Sequence, residues 1–340
     1  MDPLARRRLG RTDIHLTQLG FGSAGLGDLY SVLPEATAAA TVAAAWDAGI
    51  RYFDTAPWYG RGQAEHRVGR ALYPHARADY VLSTKVGRTL HACHHAERFD
   101  RGMWAGGLPF EVRFDYSYDG IMRSFEDSLQ RLGLPRIDLL LIHDLDLQYH
   151  TNIGRVSALL GELYTGGWRA LEQLKRAGLI GGVGAGINER GMIPRFLDLM
   201  DLDFFLVALP YTLLEQDMLD AEFPRCTAAG IGIVIGGVFA SGILATGAVA
   251  GAKHNYADAT PAALQTVARM EAVCRRHGVP LAAAALQFPL GHPAVAAVIP
   301  GAITPEQVAR NVAAFRHDIP AGLWADLKQA GLLRADAPTP

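Results

Sequence analysis

Cysteine is scarce in this chain: three in 340 residues, Cys93, Cys226 and Cys274, far apart and never as C-x-x-C. That argues against a disulfide framework and for a reducing compartment, so a cytoplasmic location is expected. An excess of one charge is also lacking. With 32 Lys and Arg against 34 Asp and Glu the formal net charge is -2, and Arg6 to Arg8 alone make no footprint for nucleic acid. A small-molecule substrate fits better. No uninterrupted apolar run reaches ~18 residues, and no apolar stretch follows the basic residues near the start, so neither a membrane span nor a signal peptide is expected. Internal repeats, low-complexity runs and Pro/Ser-rich linkers are missing too. The length leaves one large domain or two medium ones open.

What the chain does have is apolar material, half of its residues, arranged in alternating elements. Residues 6–22 alternate around Gly10-Arg11-Thr12-Asp13 and read as a β-hairpin leading into a strand at 19–22, placed to close one end of a larger structure. Helical patterns at 35–48, 63–72, 118–132, 168–177, 190–200, 217–229, 261–277 and 305–315 then alternate with strands at 51–53, 80–85, 137–142, 180–185, 204–209, 232–235 and 296–299. That makes eight strand–helix units. Ile137-Asp138-Leu139-Leu140-Leu141-Ile142 is apolar almost throughout, as a parallel strand covered on both faces should be, which favours a closed barrel or a doubly wound sheet. Between Gly87 and Tyr116 neither helix nor strand is predicted. Trp104, Phe110, Phe114 and Tyr116 in that stretch suit a lid over an active site or a cap on the edge of a barrel.

Gly20-Phe21-Gly22-Ser23-Ala24-Gly25 matches G-x-G-x-x-G after a strand, but the next helix starts too late. Gly27, Leu33 and Pro34 intervene, whereas a dinucleotide fold needs the third glycine to open the helix whose N-terminus meets the pyrophosphate. More informative are three strand ends: Phe53-Asp54-Thr55-Ala56-Pro57-Trp58-Tyr59-Gly60, Ser83-Thr84-Lys85-Val86-Gly87 and Leu141-Ile142-His143-Asp144. Each sets an ionisable residue at the carboxyl end of an apolar strand. In a parallel barrel those ends converge on one face.

The D-T-A-x-x-Y-G pattern at Asp54 to Gly60, the T-K at Lys85 and the strand-end His143 resemble the catalytic tetrad of the aldo-keto reductases, and the resemblance covers nearly the whole chain. It implies a single (β/α)8 TIM barrel over residues 1–332 with an N-terminal hairpin, a long loop after strand 3 and a flexible tail at 333–340. The implied cofactor is NAD(P), bound extended across the carboxyl face. Tyr59 would be the general acid/base. A phenol with an ordinary pKa near ~10 needs a neighbouring positive charge to work at neutral pH, which Lys85 would supply with Asp54 as its partner. A neutral His143 would hydrogen-bond and orient the substrate oxygen.

The same resemblance implies cofactor contacts from Gly22, Ser23 and Asp54, from Tyr211 stacked on the nicotinamide, and from Asn188 at the carboxamide. Ala208 and Gly184-Ala185-Gly186-Ile187-Asn188 depart from the family pattern at that end. Gly237, Val238, Phe239, Ser241, Gly242 and Leu244 would wrap the pyrophosphate, because glycines let backbone N–H groups approach phosphate oxygens. Pro300, Gly301, Gln307, Arg310 and Asn311 would hold the adenosine, Asn311 at the adenine. Gly301 and Gln307 stand where NADP-specific relatives carry Lys and Arg, so NAD is expected to be preferred over NADP, with Arg310 as the one cation able to reach a 2′-phosphate. His91-Ala92-Cys93-His94-His95 gathers metal-ligand side chains, but its spacing matches no structural zinc pattern and no metal is expected.

Phe114 to Gly120, Leu129 to Gly133 and His143-Asp144-Leu145-Asp146 are similar to the aldose 1-dehydrogenase branch of that family. The branch includes L-fucose (D-threo-aldose) and galactose dehydrogenases and a pyridoxal 4-dehydrogenase. It implies oxidation of a cyclic hemiacetal to its lactone, with Trp58, Tyr59, His143 and Asp144 at the substrate. Pyridoxal oxidation to 4-pyridoxolactone and general aldehyde reduction are the neighbouring alternatives. A nucleotide-binding regulatory subunit is a remote one, by analogy with potassium-channel β-subunits.

Overall fold

Strands that are apolar on both faces need cover on both, and the computed structural model, which describes residues 1–340, supplies it by closing the sheet on itself. Eight short parallel strands follow one another in chain order. They are β1 (Phe21–Gly22), β2 (Tyr52–Asp54), β3 (Val81–Val86), β4 (Leu139–His143), β5 (Gly182–Ile187), β6 (Phe204–Ala208), β7 (Gly232–Gly236) and β8 (Val295–Val298). Parallel bridges Leu19↔Val298 and Gly22↔Gly301 join the last strand to the first. The result is a (β/α)8 barrel with helices outside.

Within β4 the alternation sorts side chains between two cores. Leu139 and Leu141 pack inside the barrel with Tyr52, Phe204, Leu206 and Val234, whereas Leu140 and Ile142 pack outward beneath the helices. The expected N-terminal hairpin pairs Arg6–Arg8 with His15–Thr17 antiparallel. Leu9 and Leu16 drop from it into the barrel interior and plug the amino-terminal end. The turn lies so close to β7 that a Cβ on Gly10 (φ 52°) would stand 2.3 Å from the Gly232 nitrogen. Only glycine fits there.

Helix Tyr118–Leu132 has the bounds its pattern predicts: Ser117 Oγ accepts from the Gly120 N–H at 3.1 Å, and Gly133 ends it at φ 62°. Residues 87–116 depart from the expected irregular segment. Arg88–Ala92 and Phe110–Phe114 form an antiparallel pair in register from Arg88↔Phe114 to Ala92↔Phe110. The chain between them folds back over the carboxyl face, where Trp104 bridges Leu29 and the Tyr30 N–H donates to the Met103 carbonyl at 2.8 Å. Helices Ile153–Glu162, Leu281–Gln287 and Ala321–Gln329 are additions to the expected set.

The flexible tail expected at 333–340 is instead packed. Leu333 and Ala337 are buried, Arg334 pairs with Asp220 and Asp336, and a Cβ on Gly291 would lie 2.6 Å from the Thr339 backbone. Two apolar side chains and a paired cation outweigh the mobility that the Ala/Pro composition suggests. No helix is long and apolar enough to cross a membrane.

Candidate active site

Strand register brings the three ionisable strand-end residues to one face. Asp54 closes β2 opposite Ser83, Lys85 lies near the end of β3 opposite Leu141, and His143 closes β4 opposite Gly186. Tyr59 reaches back over them from the loop after β2. Lys85 Nζ donates to Asp54 Oδ2 at 2.6 Å and to the Thr55 carbonyl at 2.9 Å, both side chains being fully buried. Ser83 Oγ donates to the other oxygen, Asp54 Oδ1, at 2.7 Å. The carboxylate is therefore held at both ends. Lys85 Nζ stands 4.7 Å from the centre of the Tyr59 ring, whose plane meets that of His143 nearly at right angles with centres 5.9 Å apart.

Electrostatics differ from the sequence expectation at one point. Burial, reinforced by the carboxylates of Asp54 and Asp144, holds the Tyr59 phenol well above its ordinary pKa. The Arg88 charge opposes this with a smaller effect. Burial, with the positive charges of Arg88 and Lys85, holds His143 well below the usual imidazole range, so the ring is neutral. If Tyr59 accepts the proton in oxidation it must do so as phenolate, and its raised pKa keeps the proton on at neutral pH. Turnover in the oxidative direction is thus expected to rise with pH, roughly tenfold per unit, from neutrality into the alkaline range. Reduction, which needs the phenol, should be flat over the same range. A pH series of kcat/KM in both directions checks this, and an oxidative plateau already at pH ~7 would contradict it.

Beside the tetrad lies a second buried ion pair that the sequence did not suggest. Arg88 and Asp144 are bonded, with side chains 3% and 5% exposed. The guanidinium sits within 4.6 Å of the ring centres of Trp58, Phe114 and Tyr149. Asn188 Nδ2 donates to Asp144 Oδ1 at 2.7 Å and to Asp146 Oδ2 at 3.0 Å. Asp144 has a left-handed backbone, φ 51°, and its Oδ2 lies 3.3 Å from His143 Nε2.

Two adjoining cavities open on this face. The larger, about 400 Å³, is bordered by Gly22, Ser23, Asp54, Tyr59, Gly237 and Val238, and farther along by Phe239, Ser241, Gly242, Gly301 and Gln307. The smaller, about 260 Å³, is bordered by Trp58, Tyr59, Trp104, His143, Asp144 and Asn188. Tyr59 stands at the boundary and belongs to both. A nucleotide fits the larger one on three grounds. Ser23 Oγ is buried in its wall without a partner, Gly237 and Gly242 take left-handed backbones (φ 58° and 115°), and a Cβ on Gly242 would meet nothing within 4 Å. An orphan donor and open backbone are what phosphate and amide groups require.

Not every residue expected at the cofactor is there. Tyr211, expected to stack on the nicotinamide, is wholly buried among Phe223, Phe288 and His292 and borders neither cavity. Leu209 takes φ 80° and turns the chain into the core, leaving Ala208, Leu206 and Gly236 at the cavity wall. Asn188, expected at the carboxamide, borders the smaller cavity with its amide nitrogen committed to Asp144 and Asp146. Leu244 is buried, and Pro300 borders neither cavity. Arg310 is exposed, and Asn311 Nδ2 lies 3.4 Å from the Gly301 carbonyl. Trp58, Tyr59, His143 and Asp144 together border the smaller cavity. His91 Nε2 lies 2.9 Å from Thr89 Oγ1, and His95 lies beside Glu97, so the His91–His95 stretch does not converge on one point.

Residues that sequence reasoning missed include Tyr256 and Leu29, which border both cavities, and Tyr149 and Arg88. Tyr256 sits at the tip of a two-stranded turn, Lys253–His254 with Ala257–Asp258, where Asn255 and Tyr256 both have positive φ. An asparagine at a turn was the only signal available.

This arrangement, a barrel with Asp54, Tyr59, Lys85 and His143 around the junction of two cavities, is that of a nicotinamide-dependent oxidoreductase. The sequence pattern that defines the aldo/keto reductase family matches residues 18–331, and the chain belongs to that family. A pyridoxal 4-dehydrogenase of Microbacterium luteolum is 44% identical over 339 residues, covering 96% of this chain and 98% of the relative. A D-threo-aldose 1-dehydrogenase of a Pseudomonas species is 38% identical over 328 residues, 95% of each chain. Among solved structures, a holo-form aldo-keto reductase of Bacillus halodurans superposes with a TM-score of 0.73 at 26% identity, covering 98% of both chains.

Proposed function

We propose that this oxidoreductase takes hydride from the anomeric carbon of a cyclic hemiacetal, an aldose such as L-fucose, D-arabinose or galactose, and releases the lactone. The observation that carries this reading is Tyr59 at the boundary of the two cavities, with His143 beside it. A hydroxyl in the smaller cavity is then within reach of the phenolic oxygen while its carbon faces the larger one. Gly22, Ser23, Gly237 and Gly242 border the space that would hold a nicotinamide nucleotide, which would supply the hydride acceptor. Tyr59 Oη takes the proton from the anomeric hydroxyl, and the freed electron pair forms the lactone carbonyl. Neutral His143 donates to the same oxygen and fixes its position. Asp144 offers a carboxylate to neighbouring hydroxyls, and Trp58 and Trp104 offer flat faces to a sugar ring. Similarity to the D-threo-aldose dehydrogenase supports this substrate class.

A second reading, pyridoxal as the hemiacetal oxidised to 4-pyridoxolactone, is supported by the 44% identical relative and by the aromatic walls of the same cavity. A panel of L-fucose, D-arabinose, D-galactose and pyridoxal, followed by NADH formation, separates the two. The aldoses are expected to give the higher kcat/KM. Pyridoxal turnover well above every sugar would establish the second reading, and activity confined to reduction of open-chain aldehydes would overturn both.

We further propose NAD over NADP, used in the cytoplasm, where the three free cysteines stay reduced. Gln307 borders the nucleotide cavity with Oε1 accepting from the Ile303 N–H at 2.7 Å, so only its neutral amide NH2 faces outward. A dianionic 2′-phosphate finds no cation at that position or at Gly301. Replacing Gln307 by Arg is expected to raise kcat/KM for NADP roughly tenfold, the worth of one charge-assisted hydrogen bond. Steady-state kinetics with both nucleotides test it, and wild-type preference for NADP would refute it.

A further inference from the structure

Arg88 carries more than its own ion pair. It is a buried cation enclosed by the rings of Trp58, Phe114 and Tyr149, bonded to one carboxylate and to no backbone group, and its Nε has no partner. A guanidinium is unfavourable to desolvate in that position, and Met or Leu would fill the same space without that penalty. What it does hold is Asp144. Burial and the neighbouring Asp146 push the Asp144 carboxyl up, toward the neutral acid, while Arg88 and the Asn188 amide oppose them. Asp144 Oδ2 in turn lies 3.3 Å from His143 Nε2, whereas His143 Nδ1 is buried and meets no acceptor. A neutral imidazole carries one proton, and an N–H buried without an acceptor at Nδ1 is costlier than one at Nε2, which opens on the cavity near the Asp144 anion without being hydrogen-bonded to it. Lys85, also near His143, only disfavours a second proton on the ring.

We infer that Arg88 is a positioning residue. By fixing Asp144 as an anion beside Nε2, it selects the tautomer of His143 that presents an N–H at Nε2 to the substrate oxygen. This rests on the reading of His143 as the donor to that oxygen. With the proton on Nδ1 instead, Nε2 would offer only a lone pair, and the substrate hydroxyl would turn its proton to His143 and away from Tyr59. The anion also gives the smaller cavity an acceptor for a second substrate hydroxyl, which ties substrate orientation to the same guanidinium.

NMR of histidine labelled with heavy nitrogen reports the tautomer without turnover, the His143→Asn chain identifying the signal. In the wild-type chain Nε2 is expected to resonate as protonated and Nδ1 as bare. Arg88→Met is expected to move the proton toward Nδ1 and to lower kcat ~100-fold with the Kd for NADH unchanged. Arg88→Lys should restore the wild-type tautomer and most of the lost turnover. Asp144→Ala, which leaves Arg88 in place, should shift the tautomer as Arg88→Met does, so the test survives a poorly folding Arg88→Met chain. An Nδ1–H tautomer in the wild type, or a tautomer unmoved in Arg88→Met and Asp144→Ala, would overturn the inference. If the wild type oxidised no hemiacetal yet showed the expected tautomer shifts, the functional reading would fail and the positioning role would stand.

Discussion

Tyr59→Phe is expected to lower kcat for hemiacetal oxidation by roughly a thousandfold while NADH binds as in the wild type. The ring stays, so its contacts with Trp104 and His143 and the 4.7 Å approach of Lys85 Nζ are kept, and only the phenolic oxygen is lost. Without it no other group at the junction of the cavities can take the hydroxyl proton. Burial holds His143 well below the usual imidazole range and makes it a poor proton acceptor, Lys85 is bound to Asp54, and Asp144 is bonded to Arg88. The loss should fall on kcat more than on KM, because the missing proton transfer belongs to the transition state and not to substrate binding. Fluorescence titration of NADH alongside steady-state kinetics separates the two. Equal losses in nucleotide affinity and turnover would mean that Tyr59 binds and does not transfer protons.

Lys85→Met is expected to show the second large effect, and on stability as well as on rate. Asp54 is fully buried, and removing the ammonium 2.6 Å from it leaves a carboxylate with only the Ser83 hydroxyl as side-chain donor. Breaking one side of a buried pair costs about 3–5 kcal/mol. The double replacement Asp54→Asn with Lys85→Met removes both charges and should recover most of that stability, since two neutral groups of similar shape are left. Turnover should not recover with it. Denaturant unfolding of the wild type, Lys85→Met, Asp54→Asn and the double variant gives the coupling energy directly. If Lys85→Met unfolded at the wild-type denaturant concentration, the pair would contribute nothing to the fold and its service to the site would need another explanation.

The catalytic face was legible because two periodicities agree there. Apolar strands such as Leu139–His143 end abruptly in ionisable residues, and a parallel barrel gathers such ends by construction. Helix Tyr118–Leu132 was legible to the residue, because a capping serine and a terminal glycine bracket an amphipathic run. The pairing of Arg88–Ala92 with Phe110–Phe114 was not, since its partner strand lies beyond a long excursion and the alternation spans only five residues on each side. Arg88 was hidden by the same gap. It meets Asp144 and aromatic rings brought from a loop, a strand and a short helix, none of them near in sequence. Tyr211 lies in the core and off the cavity wall. Its sequence neighbourhood suggests a cavity residue, but the left-handed turn at Leu209 rotates it into the core, and nothing local announces a positive φ at a leucine.

Tyr52 ties the tetrad to the barrel interior. Its hydroxyl lies 3.1 Å from Ser83 Oγ, which in turn donates to Asp54, so the inner core supports the carboxylate that holds Lys85. The positions of Asp54, Lys85 and His143 are thereby set by strands, and that of Tyr59 by a loop. That residue is fixed by Gly60 (φ 64°), which packs so tightly on Gly27 that a Cβ would lie 2.6 Å from the Gly27 carbonyl oxygen.

The most direct test of the account is to supply an aldose carrying deuterium at its anomeric carbon, with NAD, and follow label and product together. The account predicts that the label arrives on the reduced nicotinamide, that the first sugar product is the lactone, and that oxidation slows by a primary isotope effect when hydride transfer limits the rate. Label retained in the sugar or released to water, or an open-chain acid formed without a lactone preceding it, would contradict it.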